Sequence, residues 1–222
     1  MELNTKKLVV ISPHPDDLEI GMGGTVAQAV AQGAEVISIV LTDGRRAPRV
    51  TLCSDAEMAT IRKQEVLAAA QSLQIGEIHC LGWEDLRLPA QWQAAQQQLL
   101  TLLNEIRPTE IYLPHPQLDR HETHRLGAQL TLATVENLAQ QISKPALWAY
   151  EVWGLFPQWQ RVVDISDFVA QKQTAIACHQ SQTSVMDYAA GILGLNRWRA
   201  VFEDPHKLPM AQFVEVFINL AC

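Results

Sequence analysis

Two short stretches of this 222-residue chain hold the side chains whose types and spacing suit chemistry. The first is Pro13-His14-Pro15-Asp16-Asp17, directly after the apolar run Lys7 to Ser12. The second is Asp119-Arg120-His121-Glu122-Thr123-His124-Arg125, a few residues after Glu110 to Leu113. Both apolar runs read as buried strands. Ligands of open parallel sheets bind beyond the carboxyl ends of the strands, so two stretches distant in sequence can meet in space.

Helix geometry sharpens the second stretch. His121 and His124 project to the same side as Ala128, Val135, Ala139 and Ile142, which puts both imidazoles on a buried face at a helix start. One histidine in such a place is usually a hydrogen-bonded core residue. Two at i and i+3, facing His-x-x-Asp at another strand end, have the make-up of a catalytic zinc site. Such a site takes three protein ligands and leaves a position for water. His14, Asp17 and His124 supply three. Asp16 and His121 remain beside them, a carboxylate to accept a proton and an imidazole that, when protonated, stabilises an oxyanion or serves a leaving group. Zinc lowers the pKa of water towards about 7 and polarises a carbonyl, so the set is complete for hydrolysis of an amide. Ferrous iron suits the same two histidines and one aspartate.

The surrounding sequence must bring these stretches together. Strands are expected over 7–12, 35–41, 77–81, 110–113, 147–152 and 213–220. Helices are expected over 25–32, 54–73, 90–106 and 122–141, with another capped by Ser166 and reaching Cys178. Gly33 ends the first helix, and Ser54 with Glu57 forms a capping box at the second. Strands alternating with helices give an α/β fold, a sandwich with a mostly parallel sheet. No repeat or composition break divides the chain, so one domain over 1–222 is expected.

Composition narrows the function classes. Hydrophobic residues are 48% and charged residues 18%, which excludes a disordered or collagenous chain. The 17 Lys and Arg against 24 Asp and Glu give a net charge of -7, which disfavours nucleic acid and anionic membranes as partners. Cys53, Cys80, Cys178 and Cys222 are scattered, with no CxxC pair, as in a cytoplasmic protein. No signal peptide and no stretch of about 18 apolar residues is read.

The motif PHPDDLEIGMGGT resembles the N-terminal signature PHPDDxExGxGG of the PIG-L or LmbE-like zinc-dependent N-deacetylases, and DRHETHR is similar to their D-x-H-P-D-H-R. Weaker similarity runs through IRKQE, LGWEDLRL, YEVW and HQSQ. The resemblance implies a Rossmann-like three-layer fold and hydrolysis of the N-acetyl group of an N-acetyl amino sugar of the glucosamine type, or its conjugate. It implies His14, Asp17 and His124 as zinc ligands, Asp16 as general base and His121 as the charged partner of the tetrahedral intermediate. It also implies substrate contacts at Arg62 and Asp85, a small-molecule substrate and a homo-oligomer. Two departures stand out. Thr123 occupies the place where the family has an aspartate to orient the first histidine, which leaves room for a family member that binds sugar without turnover. Gly44-Arg45 replaces a Gly-Glu pair, which points to a different, anionic substrate substituent.

Other residues carry plainer readings. Arg62 falls on the apolar face of its helix with Met58, Val66, Ala69 and Leu73, so it needs a carboxylate, such as Glu65, or a ligand. Gly21, Gly23 and Gly24 invite a dinucleotide-binding module or dehydrogenase, with Asp43 on the ribose. Yet the spacing is G-x-G-G, with Val26 in the third slot, and close helix packing explains the glycines better. His115 reads as a loop histidine. Trp153, Trp159 and Trp198 offer a sugar-stacking wall or core contacts.

Overall fold

The computed structural model describes residues 6–50, 52–138, 144–203 and 210–220. The strands β1 (Lys7–Ser12), β2 (Glu35–Thr42), β3 (Glu77–Trp83), β4 (Glu110–Pro114) and β5 (Ala146–Tyr150) pair in parallel. Two more, β6 (Arg161–Asp164) and β7 (Val214–Asn219), extend the sheet, with β7 antiparallel to both neighbours. The sheet order is β3-β2-β1-β4-β5-β7-β6.

Alternation along the strands builds two cores. Val9, Ile11, Ile37, Ile39, Ile111 and Leu113 face α3 (Pro89–Ile106) and α4 (Glu122–Glu136). Leu8, Val10, Val36 and Tyr112 face α1 (Asp17–Ala31), α2 (Asp55–Ser72) and α5 (Val169–Ala177). Burial on both faces is why these strands read as continuous apolar runs. The result is the expected Rossmann-like α/β sandwich of three layers.

Several boundaries follow the expected chemistry. The Ser54 hydroxyl accepts from the Glu57 amide while the Glu57 carboxylate accepts from the Ser54 amide, closing the capping box on α2. Helix α3 opens with Pro89 at its first turn and stops at Arg107, before Pro108.

Others differ. Helix α1 starts at Asp17, not near Thr25. Its glycines suggested a loop, but Asp17 and Glu19 favour a helix N-terminus, and packing removes the glycines' cost. A Cβ on Gly21 would lie 2.3 Å from the Tyr150 ring, and one on Gly24 2.7 Å from Ile165. The filled space leaves no approach for a pyrophosphate, so the glycines serve helix packing rather than a dinucleotide. The helix kinks at Met22, and Glu215 caps the amides of Gly24 and Thr25 beyond the kink.

Helix α4 ends at Glu136; the expected extension to 141 runs into residues 139–143, outside the described ones. Strand β5 stops at Tyr150 rather than 152. Ser166 opens a short 3-10 turn and does not cap α5; its hydroxyl instead engages Asp164 and the Gln212 amide. Strand β6 and the helices α6 (Gln180–Thr183) and α7 (Tyr188–Trp198) were not foreseen. Four residues are too few for a periodic signal, and Gly191 and Gly194 break the pattern in α7.

Candidate metal and catalytic site

The strand order reverses direction between β1 and β4, and the loops beyond their carboxyl ends part to form a crevice. His14 sits in the turn after β1, Asp16 is the N-cap of α1 and Asp17 its first residue. His121 is the N-cap of α4, and His124 lies one turn in. His14, Asp16, Asp17 and His121 line a cavity of about 590 Å³, with His124 fully buried behind them.

The donor atoms converge. His14 Nδ1 lies 3.0 Å from His124 Nε2. Asp17 Oδ1 is 3.1 Å from the same Nε2, and Asp17 Oδ2 is 3.5 Å from His14 Nδ1. The Asp17 carboxylate also accepts from the His14 amide at 2.7 Å, which fixes its orientation. Among the described residues, ring nitrogens of His14, His121 and His124 come within 4.8 Å of one another. Two imidazole nitrogens aimed at each other beside a carboxylate can share a single proton, whereas a divalent cation satisfies all three donors. The residues present therefore fit such an ion.

Electrostatics agree with the geometry. Burial alone would keep His124 neutral, yet Asp17 and Asp119 push its pKa up to about 10. Burial likewise opposes the charge on Asp17, but His124 and His14 hold its carboxyl well below the usual range. The cluster draws positive charge into a buried place. His121 behaves oppositely: burial, then His14 and His124, lower it to about 4. Burial and the neighbouring imidazoles thus disfavour charge on His121 in this arrangement of groups.

His121 also departs from the helical projection. As an N-cap it has extended backbone, φ -80° and ψ 126°, so its ring leaves the helix face and stands exposed at the cavity, 4.7 Å from the ring of His14. Only His124 occupies the buried face.

Arg62 is 2% exposed, and its partner is Asp16, not Glu65. Its Nη2 lies 3.1 Å from Asp16 Oδ1 and its Nη1 donates to Oδ2 at 3.4 Å. Glu65 instead accepts from the amide and hydroxyl of Ser181. Asp85 lines the cavity with both oxygens engaged by Arg46 and Arg87. His115 accepts from the Gln117 and Leu118 amides and stays outside the cavity lining. Of the three tryptophans only Trp153 lines the cavity; Trp159 packs in the cluster around Phe156, and Trp198 stacks on Phe202.

Three features carry roles that the sequence reading did not assign, His179 in HQSQ among them. Asp119 is buried, accepts from the amides of His121 and Trp153, and sits 3.1 Å from His124 Nδ1, where it orients that ring. Its place in DRHETHR was the available signal. Gly154 lets the chain after β5 press against the backbone of Leu118 and Asp119, since a Cβ there would lie 2.3 Å from the Leu118 carbonyl oxygen. That approach delivers Trp153. Buried His179 lies 3.3 Å from Glu19.

Residues 9–135, more than half of the chain, match the PIG-L family, described as GlcNAc-PI de-N-acetylase. This chain belongs to the PIG-L family. Diacetylchitobiose deacetylase of Thermococcus kodakarensis is 30% identical to it over 192 residues, covering 81% of this chain and 71% of that protein. The solved N,N'-diacetylchitobiose deacetylase of Pyrococcus horikoshii shares the architecture at a TM-score of 0.82 and 25% identity, over 98% of this chain and 84% of that one. A 4-carboxy-2-hydroxymuconate hydratase from Pseudomonas putida reaches the same TM-score at 18% identity, over 97% of this chain and 96% of that one, a likeness of fold alone. In this PIG-L chain both chemical stretches fall inside the matched residues, whereas Trp153, His179 and Tyr188 come from beyond them.

Proposed function

We propose that this PIG-L chain hydrolyses the N-acetyl group of an N-acetylated amino sugar or its conjugate, with zinc held by His14, Asp17 and His124. The observation that carries the reading is the convergence of these three side chains beside Asp16 in one cavity. The bound ion supplies Lewis-acid polarisation and a more acidic water. Asp16 is the base, and Arg62 grips both its oxygens so that the carboxylate stays aimed into the cavity. It takes a proton from the attacking water and passes it to the nitrogen as the C–N bond breaks, releasing acetate and the free amine. His121, exposed at the cavity beside His14, is the partner of the developing oxyanion. Arg62 and Asp85 wall the cavity as substrate-side residues, Asp85 through the arginines it holds. The edge of Trp153 packs near Tyr188 with ring centroids 6.3 Å apart, a surface suited to a sugar face.

Relatives named diacetylchitobiose deacetylase and 1D-myo-inositol 2-acetamido-2-deoxy-alpha-D-glucopyranoside deacetylase support a small-molecule substrate of that class. No helix among the described residues is long and apolar enough to cross a membrane. Cys53, Cys80 and Cys178 are free thiols, in keeping with a cytoplasmic enzyme. Exposed Trp198 and Phe202 suit contact between copies of the chain in a homo-oligomer.

The test pairs elemental analysis with acetate release from N,N'-diacetylchitobiose and N-acetylglucosamine conjugates. Acetate release with stoichiometric zinc is expected, and His124→Ala should lose both. A zinc-loaded chain that binds these sugars and releases no acetate would make it a non-catalytic binder and overturn the reading.

A further inference from the structure

The chain carries a net charge of -7, yet five of its eleven arginines, and no lysine among the described residues, line the cavity that holds the candidate site. Their pairing is uneven. Arg62 is taken by Asp16 at the buried end. Arg45, which the sequence marked as a departure from its relatives, is fully matched. It binds Asp43 through Nε and Nη2 and Glu84 through Nη1. It is therefore not the group that receives an anion.

The excess positive charge lies elsewhere on the rim. Arg87 grips Asp85 in a fork, Nε to Oδ1 at 2.8 Å and Nη2 to Oδ2 at 2.7 Å. Arg46 Nη1 donates to the same Oδ2 at 2.9 Å. Two guanidinium groups thus share one carboxylate. Both arginine side chains remain more than half exposed, at 57% and 55%, while Asp85 is 12% exposed between them. Arg87 reaches Glu122 only at 3.7 Å, and both are open to solvent. Arg120 also lines the cavity and has no ion-pair partner among the described residues. Asp85 is saturated, so it has no oxygen to spare for a sugar hydroxyl. It holds two guanidinium groups side by side in the cavity lining, each with nitrogens beyond those that contact Asp85. Paired guanidinium forks of this kind match the planar oxygens of carboxylate and phosphate.

We propose that Arg46 and Arg87, braced by Asp85, receive an anionic oxygen group, carboxylate or phosphate, carried by the substrate's aglycone, with Arg120 adding attraction at the rim. This rests on the deacetylase reading and narrows it to acidic conjugates of the amino sugar. The acetamide meets the buried His and Asp cluster, and the anion meets the exposed arginines.

The experiment compares acetate release by the full zinc-loaded chain from three N-acetylglucosaminides. Their aglycones are methyl, carboxymethyl and 2-phosphoethyl. The wild type should favour one or both anionic glycosides over the methyl one by about tenfold or more in kcat/KM. That preference should shrink at about 0.5 M salt, where screening is short-ranged. It should collapse in Arg46→Gln/Arg87→Gln and return in part in Arg46→Lys/Arg87→Lys, which keeps the charge but loses the fork. The better anionic arm tells carboxylate from phosphate. Equal kcat/KM for all three glycosides, or a preference unchanged in the glutamine variant, overturns the anion receptor and leaves the deacetylase reading standing. Should no glycoside release acetate, the deacetylase reading fails on its own and calorimetric binding judges the receptor. Tighter binding of an anionic glycoside by wild type than by the glutamine variant supports it, and equal binding overturns it.

Discussion

Two of the buried charge clusters in this molecule are built on opposite principles. One joins α5 to β7: Lys172 and Glu215, both essentially without exposure, meet at 2.7 Å. Its charged groups are paired and hydrogen-bonded. Lys172 also donates to Asn196, Asn196 donates to the Val214 carbonyl, and Glu215 takes the amides of Gly24 and Thr25. The other cluster joins β1 to α4, where two ring nitrogens and a carboxylate oxygen crowd one point. The first is closed and locks the kinked helix that carries Asp17 onto the sheet. The second crowds its ring nitrogens and carboxylate oxygen round one point in a way that fits a divalent cation. Burial alone does not distinguish the two; the convergence of ligand atoms does.

The contrast can be broken at several points. Asp16→Ala should retain zinc by elemental analysis but lose about 10² to 10⁴ in kcat for acetate release, the usual range for a removed base. Wild-type turnover in that variant would remove Asp16 from the mechanism. In the closed cluster, Lys172→Met leaves Glu215 buried and unpaired, and should cost about 3–5 kcal/mol in urea unfolding. Replacing both partners, Lys172→Met with Glu215→Leu, should recover much of that loss, because the uncompensated charge has gone. If the double variant is no more stable than the single, the amide caps on Gly24 and Thr25 outweigh the ion pair. Asp119→Asn keeps the fold but weakens the orientation of His124, with metal affinity down by about 10- to 100-fold in a chelator competition. An unchanged affinity would make Asp119 a loop brace only. Ser54→Ala lies outside both clusters and should cost about 1 kcal/mol of stability while leaving zinc content intact.

Much of the site was legible because it is local. His-x-x-Asp and His-x-x-His each sit within a few residues, and each follows a strand, so spacing and strand order placed them together. The projection failed at His121, where the N-cap's extended backbone turned the ring away from the face that His124 occupies. The packing role read for Gly21, Gly23 and Gly24 held, but the helix start was placed too late, because a helix tolerates glycine where a ring or a branched side chain fills the missing Cβ's place. That filling comes from Tyr150 and Ile165, far along the chain.

The sequence by itself determined the alternating α/β order, the capping box, the two chemical stretches and the surplus of carboxylate over basic charge. These depend on near neighbours or on composition, which a linear reading contains. The tertiary structure decided that Arg62 grips Asp16, that Asp119 orients His124, that Trp153 faces the cavity and that Arg46 and Arg87 share Asp85. Each of these joins separate elements of the fold, and a side chain's partner across such a distance is set by how the layers stack.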